Sequence, residues 1–376
     1  MTQEATQPLA STATDEDVYV ASQWLLMWWR FRRHKPAMVA TAFVISFYVI
    51  AIAAEFFSTS DPFRGDPTFT YLRPQRIHLF EGRSWNPHVV RLVAHRNPLT
   101  RERIYEPDPE AGIIPIGFFV KGYSYKFLGI FRTQRHLFGI EDDDARPDMY
   151  ILGTDRNGRD MLSRLIHATR ISTSIGLVGV FISFVLGIVL GGFSGYYGGV
   201  VDIVIQRIIE IVSSIPPLPL WMGLATMVPG EWSVERTYFA IVIVLSILGW
   251  TGMARAVRGR FLSLREEDFV MAARLAGAST LRVVFRHMLP SFSSHIIAAV
   301  SLAIPGMILG ETALSFLGLG LRPPAVSYGV MLQQAQNIQT VALHPWMMVP
   351  ALAVVVVILS FNFMGDGLRD AADPYG

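Results

Sequence analysis

Six apolar runs, each close to the length of a bilayer crossing, constrain this chain more than any other feature of it. They occupy residues 37–57, 171–193, 208–228, 237–254, 295–317 and 345–364. A hydrocarbon core of about 30 Å takes about 20 apolar residues in a helix, so the runs predict an all-α polytopic membrane protein with six transmembrane helices. Charge agrees: Asp, Glu, Lys and Arg make up 16% of the 376 residues, against roughly 25% in an ordinary soluble domain. The lipid bilayer is therefore the first partner. A net charge of +2 is too small to imply nucleic acid. There is no cysteine, which excludes disulfides, thiol catalysis and thiolate metal sites. The only lysines are Lys35, Lys121 and Lys126, and none follows a glycine, so a GxxxxGK[ST] phosphate loop is absent. Any ATP that drives this protein is hydrolysed on another chain.

The longest polar interruption in the apolar C-terminal half is the loop 255–290. It holds seven arginines (255, 258, 260, 265, 274, 282, 286) against Glu266, Glu267 and Asp268. A short loop this basic stays cytoplasmic, because positive charge resists translocation. Within it, Phe269-Val-Met-Ala-Ala-Arg-Leu-Ala276 has good helix formers and no proline. Gly277 supplies the left-handed turn that stops a helix, and Ser279 is placed to cap a second helix over 280–288. The expectation is a knob of two short helices projecting into the cytoplasm.

Residues 1–20 are polar and read as a mobile tail. Residues 21–36 mix Trp24, Trp28 and Trp29 with Arg30, Arg32, Arg33 and Lys35, the pattern of an interfacial amphipathic helix at the cytoplasmic face. The composition then changes at 58–149. Between 58 and 148 lie 13 basic and 12 acidic residues, many prolines, and short runs at 68–72 and 113–120 that suit strands. This predicts a small mixed extracytoplasmic domain inserted after the first span, since loops longer than about 60 residues largely escape the positive-inside rule. His78, His88, His95 and His136 within it lack ligand spacing such as HExxH and read as surface histidines, so no metal site is expected.

The segment 150–376 is the expected membrane core. Gly153-Thr-Asp-Arg-Asn-Gly158 reads as a turn, with an amphipathic lead-in helix over 159–170. Gly187, Gly191, Gly192 and Gly195 allow close helix approach at the end of the second span. The third span is interrupted at Ser213-Ser-Ile-Pro-Pro217. Prolines and serines in a span need neighbours to satisfy the freed backbone, so the segment faces protein or a water-filled path, or else is a simple kink. Ser213, Ser214 and Pro216 are pathway candidates. Glu311 joins them, because an ionisable residue at membrane depth is a functional candidate by default; the competing reading is a carboxyl that bridges helices.

MAARLAG at 271–277 followed by RHMLP at 286–290 resembles the Glu-Ala-Ala, three residues, Gly, nine residues, Ile-x-Leu-Pro signature of ABC importer permease subunits. The match is Ala272, Ala273, Gly277, Leu289 and Pro290. It departs at Met271, where the family usually has Glu, and at His287, where it usually has Ile. Leu152-Gly-Thr-Asp, two residues, Gly-Arg-Asp, two residues, Ser-Arg164 is similar to the C-type permease of dipeptide, oligopeptide and nickel importers, as are 311–318, 314–332 and 361–374. The resemblance covers 150–374, more weakly 22–57, and not most of 58–148. It implies the type I importer permease fold. It also implies ATPase coupling through Phe269, Met271, Ala272, Ala273, Arg274, Gly277, Ala278 and Ser279, and an outer gate or structural motif at Gly153, Thr154, Asp155, Gly158, Arg159 and Asp160.

The partners implied are a second, B-type permease, two ABC ATPase subunits and an extracytoplasmic solute-binding protein. The location implied is the bacterial inner membrane, with both termini cytoplasmic. ATP and Mg belong to the ATPases; no cofactor and no catalytic residue are expected on this chain. Peptides are the commonest cargo of such permeases, with nickel chelates, oligosaccharides and opine-like solutes left open. An ion-coupled secondary transporter would show paired intramembrane charges and inverted repeats, and a membrane enzyme a reactive constellation. The sequence offers neither.

Overall fold

The computed structural model describes residues 23–372, apart from 97, 99–102, 109–112 and 141–148. The tail expected at 1–20 lies outside the described residues. Helix α1 (Gln23–Arg33) is followed by α2 (Lys35–Ile52) and a short α3 (Ala54–Phe57). The first span therefore ends at Ile52, not at residue 57. His34 makes the corner, its Nδ1 accepting the Ala37 N–H at 3.1 Å. Met27 and Phe31 of α1 are buried against Ala371 and Ala372, whereas Trp24 and Trp28 stay exposed.

The remaining long helices are α4 (Met161–Tyr197), α7 (Val234–Leu264), α10 (Ser293–Phe316) and α13 (Val349–Ala372). Among the described residues five helices are long and apolar enough to cross a membrane, or six if the bent pair α5 (Gly199–Ser214) and α6 (Pro217–Ala225) counts as one crossing. The 213–217 interruption is no mild kink. The two pieces meet at 87°, with Pro217 at a position of the new helix where its missing N–H costs nothing.

Several helices outrun their expected bounds: α13 runs eight residues past 364, to Ala372, and α5 begins nine residues before 208. The lead-in at 159–170 and the second span are one continuous helix, because Asp160 caps its start by accepting from the Ser163 N–H at 2.8 Å. It ends at Gly198, at φ 65°. Helix α7 continues past Ala254 to Leu264, so the loop begins only at Arg265. The arginine-rich stretch stays helical because Val257 and Phe261, four residues apart, are buried on one face. Beyond it come α8 (Asp268–Leu275), α9 (Thr280–Arg282) and a π turn at Val283–Met288. Ser279 occupies the cap position of α9 but makes no capping hydrogen bond.

Helices α4 and α7 form the central pair. Gly187, Gly191 and Gly195 recur every four residues and so line one face of α4. A Cβ on Gly191 would lie 2.4 Å from the Ala254 carbonyl oxygen, and one on Gly195 would lie 2.8 Å from that of Arg258. Backbone meets backbone along this seam. Ser246 of α7 adds a hydrogen bond to the Gly179 carbonyl at 3.1 Å.

The inserted segment folds into strands. A four-stranded antiparallel sheet has the order β1-β2-β5-β8, with β1 at His78–Glu81, β2 at Ser84–Val90, β5 at Ile113–Phe118 and β8 at Phe138–Ile140. Hairpins β3–β4 (Leu92–Arg96, Arg103–Pro107) and β6–β7 (Lys121–Phe127, Phe131–Arg135) flank it. Val89, Ile114 and Met149 form its small core. The run 113–120 is thus a strand as far as Phe118. The run 68–72 is not: Asp66 accepts from the Thr68 N–H at 2.8 Å and starts a 3-10 turn at Pro67–Phe69. His88 and His136 are buried, not on the surface; the ring nitrogens of His136 face the carbonyl oxygens of Glu55 and Tyr123 at 2.9 and 3.1 Å.

The seam predicts a matched pair of variants. Gly191→Ala forces a methyl into the α7 backbone, whereas a Cβ on Gly306 in α10 meets nothing within 4 Å. Thermal unfolding of the purified protein is expected to show a clear loss for Gly191→Ala. Gly306→Ala should be neutral, or gain up to about 1 kcal/mol of helix propensity.

Candidate functional site

The knob is a short helix held rigidly at one end of the bundle. Gly277 stands at φ 80°, as a helix stop in the left-handed region requires. Val270 of α8 is fully buried with Val283, Met288, Val257, Phe261 and Ile188, so α8 shares one apolar cluster with α7, α4 and the π turn. Ala273 and Ala278 pack against that cluster. Arg274 lays its guanidinium over the Tyr196 ring of α4 at 4.7 Å, a cation–π contact. The opposite face points outward and is apolar. Phe269 and Met271 are exposed there, and Leu275 is 89% exposed. Ala272 is exposed beside them. The knob is an oily surface on a stiff mount.

A second constellation gathers at the other end of α4, about 55 Å away for its 37 residues at 1.5 Å each. Asp155 is fully buried. Its Oδ1 accepts the N–H groups of Asn157 and Arg159 at 2.8 and 3.0 Å, and its Oδ2 meets the Arg159 guanidinium at 2.8 Å and that of Arg164 at 3.3 Å. Gln334 reaches the same pair: with its amide turned to satisfy both, its nitrogen lies 3.2 Å from Asp155 and its oxygen 3.1 Å from Arg159. Thr154 accepts the Leu72 N–H at 2.8 Å and donates to the Phe69 carbonyl. Trp346 donates to the Thr154 carbonyl at 3.1 Å.

Asp160 also accepts from Thr59 at 3.1 Å. Burial pushes its carboxyl above the usual range, against hydrogen bonds from Ser163 and Thr59 that pull it down. Gly153 and Gly158 are left-handed, at φ 76° and 72°, and a Cβ on Gly158 would fall 1.8 Å from the Asp66 carbonyl. The motif is a buried polar knot. It ties the inserted segment, the start of α4 and the entry to α13 together.

Glu311 lies in a third cluster. It is fully buried, accepting from Ser172 of α4 at 3.1 Å and from Ser315 at 2.8 Å. Ser172 in turn accepts the Tyr328 N–H at 3.2 Å, and Ser315 accepts that of Leu321 at 2.9 Å. Hydroxyls surround the carboxyl and stitch α4 and α10 to α11 (Tyr328–Gln333), which α12 (Ile338–Leu343) follows. The bridging reading of Glu311 fits this geometry. Ser213, Ser214 and Pro216 are exposed instead, at the 87° break. Pathway candidates that the sequence grouped together are thus divided between a sealed cluster and an open surface.

A family described as the binding-protein-dependent transport system inner membrane component matches residues 187–375. The N-terminal TM domain of oligopeptide transport permease C matches residues 22–74. The dipeptide transport system permease protein DppC of Lactococcus lactis subsp. cremoris is 33% identical over 350 residues, spanning 92% of this chain and 89% of that protein. The chain belongs to the binding-protein-dependent transport permeases. The oligopeptide transport system permease protein OppC of Haemophilus influenzae is 38% identical to this permease over 246 residues, 63% of this chain and 76% of that protein. Among solved structures, the MetNI methionine ABC transporter in an inward-facing conformation aligns with 56% of the permease and 97% of its own chain, at 18% identity and a TM-score of 0.44.

Sequence reasoning missed how the permease uses its loop arginines. Arg258 grips Asp202 of α5 with two nitrogens at 2.5 Å each, and Ser194 of α4 donates to the same carboxylate at 2.5 Å. Arg255 donates to Ser213 at 3.1 Å. Charges that first read as a topology signal also clasp α4, α5 and α7. The signal was Asp202 itself, a lone acid in an apolar stretch that needs a cation.

The polar knot makes a prediction. Asp155→Asn leaves Arg164, only 1% exposed, without its counter-charge. Stripping one partner from a buried pair costs about 3–5 kcal/mol, so thermal stability is expected to fall sharply. Adding Arg164→Met removes the orphaned charge and should restore a substantial part of the loss.

Proposed function

We propose that this permease is one of two membrane subunits of an ATP-driven importer in the bacterial inner membrane. It carries small peptides delivered by a solute-binding protein. The observation that supports this most is the knob, whose exposed apolar face is mounted on the same buried cluster as α4 and α7. Such a surface suits a cleft on an ATPase subunit. No cofactor is assigned to this chain; ATP and Mg belong to two partner subunits. The cargo follows the likeness to proteins named as dipeptide and oligopeptide permeases.

The mechanism is a transfer of motion. ATP-driven closure of the ATPases displaces α8, and residues 269–279 move as one body because Val270 and Arg274 lock them to the bundle. Helix α4, continuous over 37 residues, carries that displacement from the knob to the polar knot. The bundle then changes from one packing to another and exposes the pathway to the opposite side. In this reading the pathway surface includes the break at Ser213, Ser214 and Pro216, and Glu311 holds the outer segment in place. The knob and both termini are cytoplasmic, and 58–149 is outside. The second permease covers the exposed apolar face of α5, where Ile203, Val204 and Ile211 point outward.

Two variants test the dock. Leu275→Asp alters only an exposed side chain and should weaken ATPase association by about 2 kcal/mol, the value of one buried leucine, while leaving the melting temperature of this chain unchanged. Gly277→Val places a β-branched residue at positive φ and should abolish both association and stimulated hydrolysis. Co-purification of the ATPases in detergent is the readout. Undiminished association in both variants would remove the knob from the interface.

A further inference from the structure

Hairpin β6–β7 carries large apolar side chains that no described residue covers. Phe118, just before it, is 71% exposed; at its tip Ile130 and Phe131 are 72% and 66% exposed. Exposed cations bracket that tip, Lys126 on one strand and Arg132 on the other. The backbone there runs against residue preference. Phe119 and Leu128 stand at φ 56° and 51°, a region that hairpin turns normally fill with Gly, Asn or Asp. A turn that met only water would have no use for leucine in that place.

Bonds to α3, just beyond the first span, fix the height of the hairpin. His136, directly after β7, sets Nδ1 2.9 Å from the Glu55 carbonyl oxygen, and the Leu137 N–H donates to that of Phe56 at 2.8 Å. The rings of Phe119 and Phe127 lie 6.2 and 6.4 Å from the Phe56 ring. Glu55 pairs with Arg170 of α4 at 2.5 Å. The 18 residues of α2 rise about 27 Å at 1.5 Å per residue, close to the thickness of the hydrocarbon core, and Glu55 follows three residues beyond its end. The Glu55–Arg170 pair therefore marks the edge of that core, and the hairpin bonded beside it lies at headgroup level. Val49 and Ile52 at the end of α2 point outward, so the lipid that covers them continues beneath the hairpin.

We propose that β6–β7 is a membrane-surface anchor. Its aromatic and aliphatic side chains enter the headgroup–acyl boundary, and Lys126 and Arg132 face anionic headgroups. Aromatic rings beside basic residues are what such an interface selects. The anchor pins the inserted strand domain to the bilayer next to the first span, and it does so whatever solute the permease carries.

The absence of cysteine makes the test direct, since one introduced thiol reports one position. Ile130→Cys and Phe118→Cys would carry a nitroxide label, with Phe80→Cys as control. Phe80 is also exposed but lies on β1, at the sheet edge farthest from β8. The full chain, with the subunits that co-purify with it, is reconstituted into phosphatidylethanolamine–phosphatidylglycerol vesicles. Labels at 130 and 118 are expected to collide several-fold less with a water-soluble nickel chelate than the label at 80, and to be broadened by doxyl-labelled lipid. Equal chelate access at all three sites would overturn the anchor. Protection at 130 that appears only when solute-binding protein is added would overturn it too, and would make the hairpin a protein dock.

Discussion

Where α4 crosses α7 the two backbones touch, with no room for a side-chain carbon between Gly191 and Ala254. Lipid tails are as apolar as leucine, so no hydrophobic force draws helices together inside a bilayer; close packing must do it. The glycines supply that packing along a seam from Gly187 to Gly195. The mount of the knob hangs from it. The apolar cluster under the knob needs α4 and α7 in contact, since Ile188 comes from one and Val257 and Phe261 from the other. The Asp202–Arg258 clasp forms only at that spacing.

Polar groups play a different part at each level of the bundle. At the knob end, Arg258 and Arg274 fasten helix ends by charge and by ring contact. Near the other end, hydroxyls quench Glu311, and Asp155 is shared between two guanidiniums and an amide. A buried carboxylate left alone would be intolerable; each of these is enclosed by donors. The middle of the seam relies on glycine and serine. Stiff ends and a tight centre suit a body that moves as a unit.

Much of this was legible in the chain. Long apolar runs announced the crossing helices, because length and composition are what a bilayer selects. Gly277 announced its turn, since few residues accept its φ. Helix ends were harder. Residues 255–264 looked like loop because their arginines dominated, yet Val257 and Phe261 at helical spacing were the truer signal. The join of lead-in and second span hid behind a change of polarity that the backbone ignores once Asp160 has capped it. The knot was least legible: its partners come from residues 59, 72, 155, 164 and 346, and no local pattern links such distant positions. The strand domain was foreseen only in outline, since Asp66 and Pro67 turned one apparent strand into a 3-10 turn.

That knot also bears on how the protein is made. Thr154 and Asp155 emerge from the ribosome nearly two hundred residues before Trp346, which donates to the Thr154 carbonyl. Gln334 arrives almost as late. Until the last crossing helix is delivered, this region carries polar groups whose partners have not been synthesised. Closing the knot is then a late event in biogenesis, a signal of completion built into the end of the bundle opposite the knob. A truncated chain would keep it open, presenting quality-control proteases with loose backbone that the finished permease conceals.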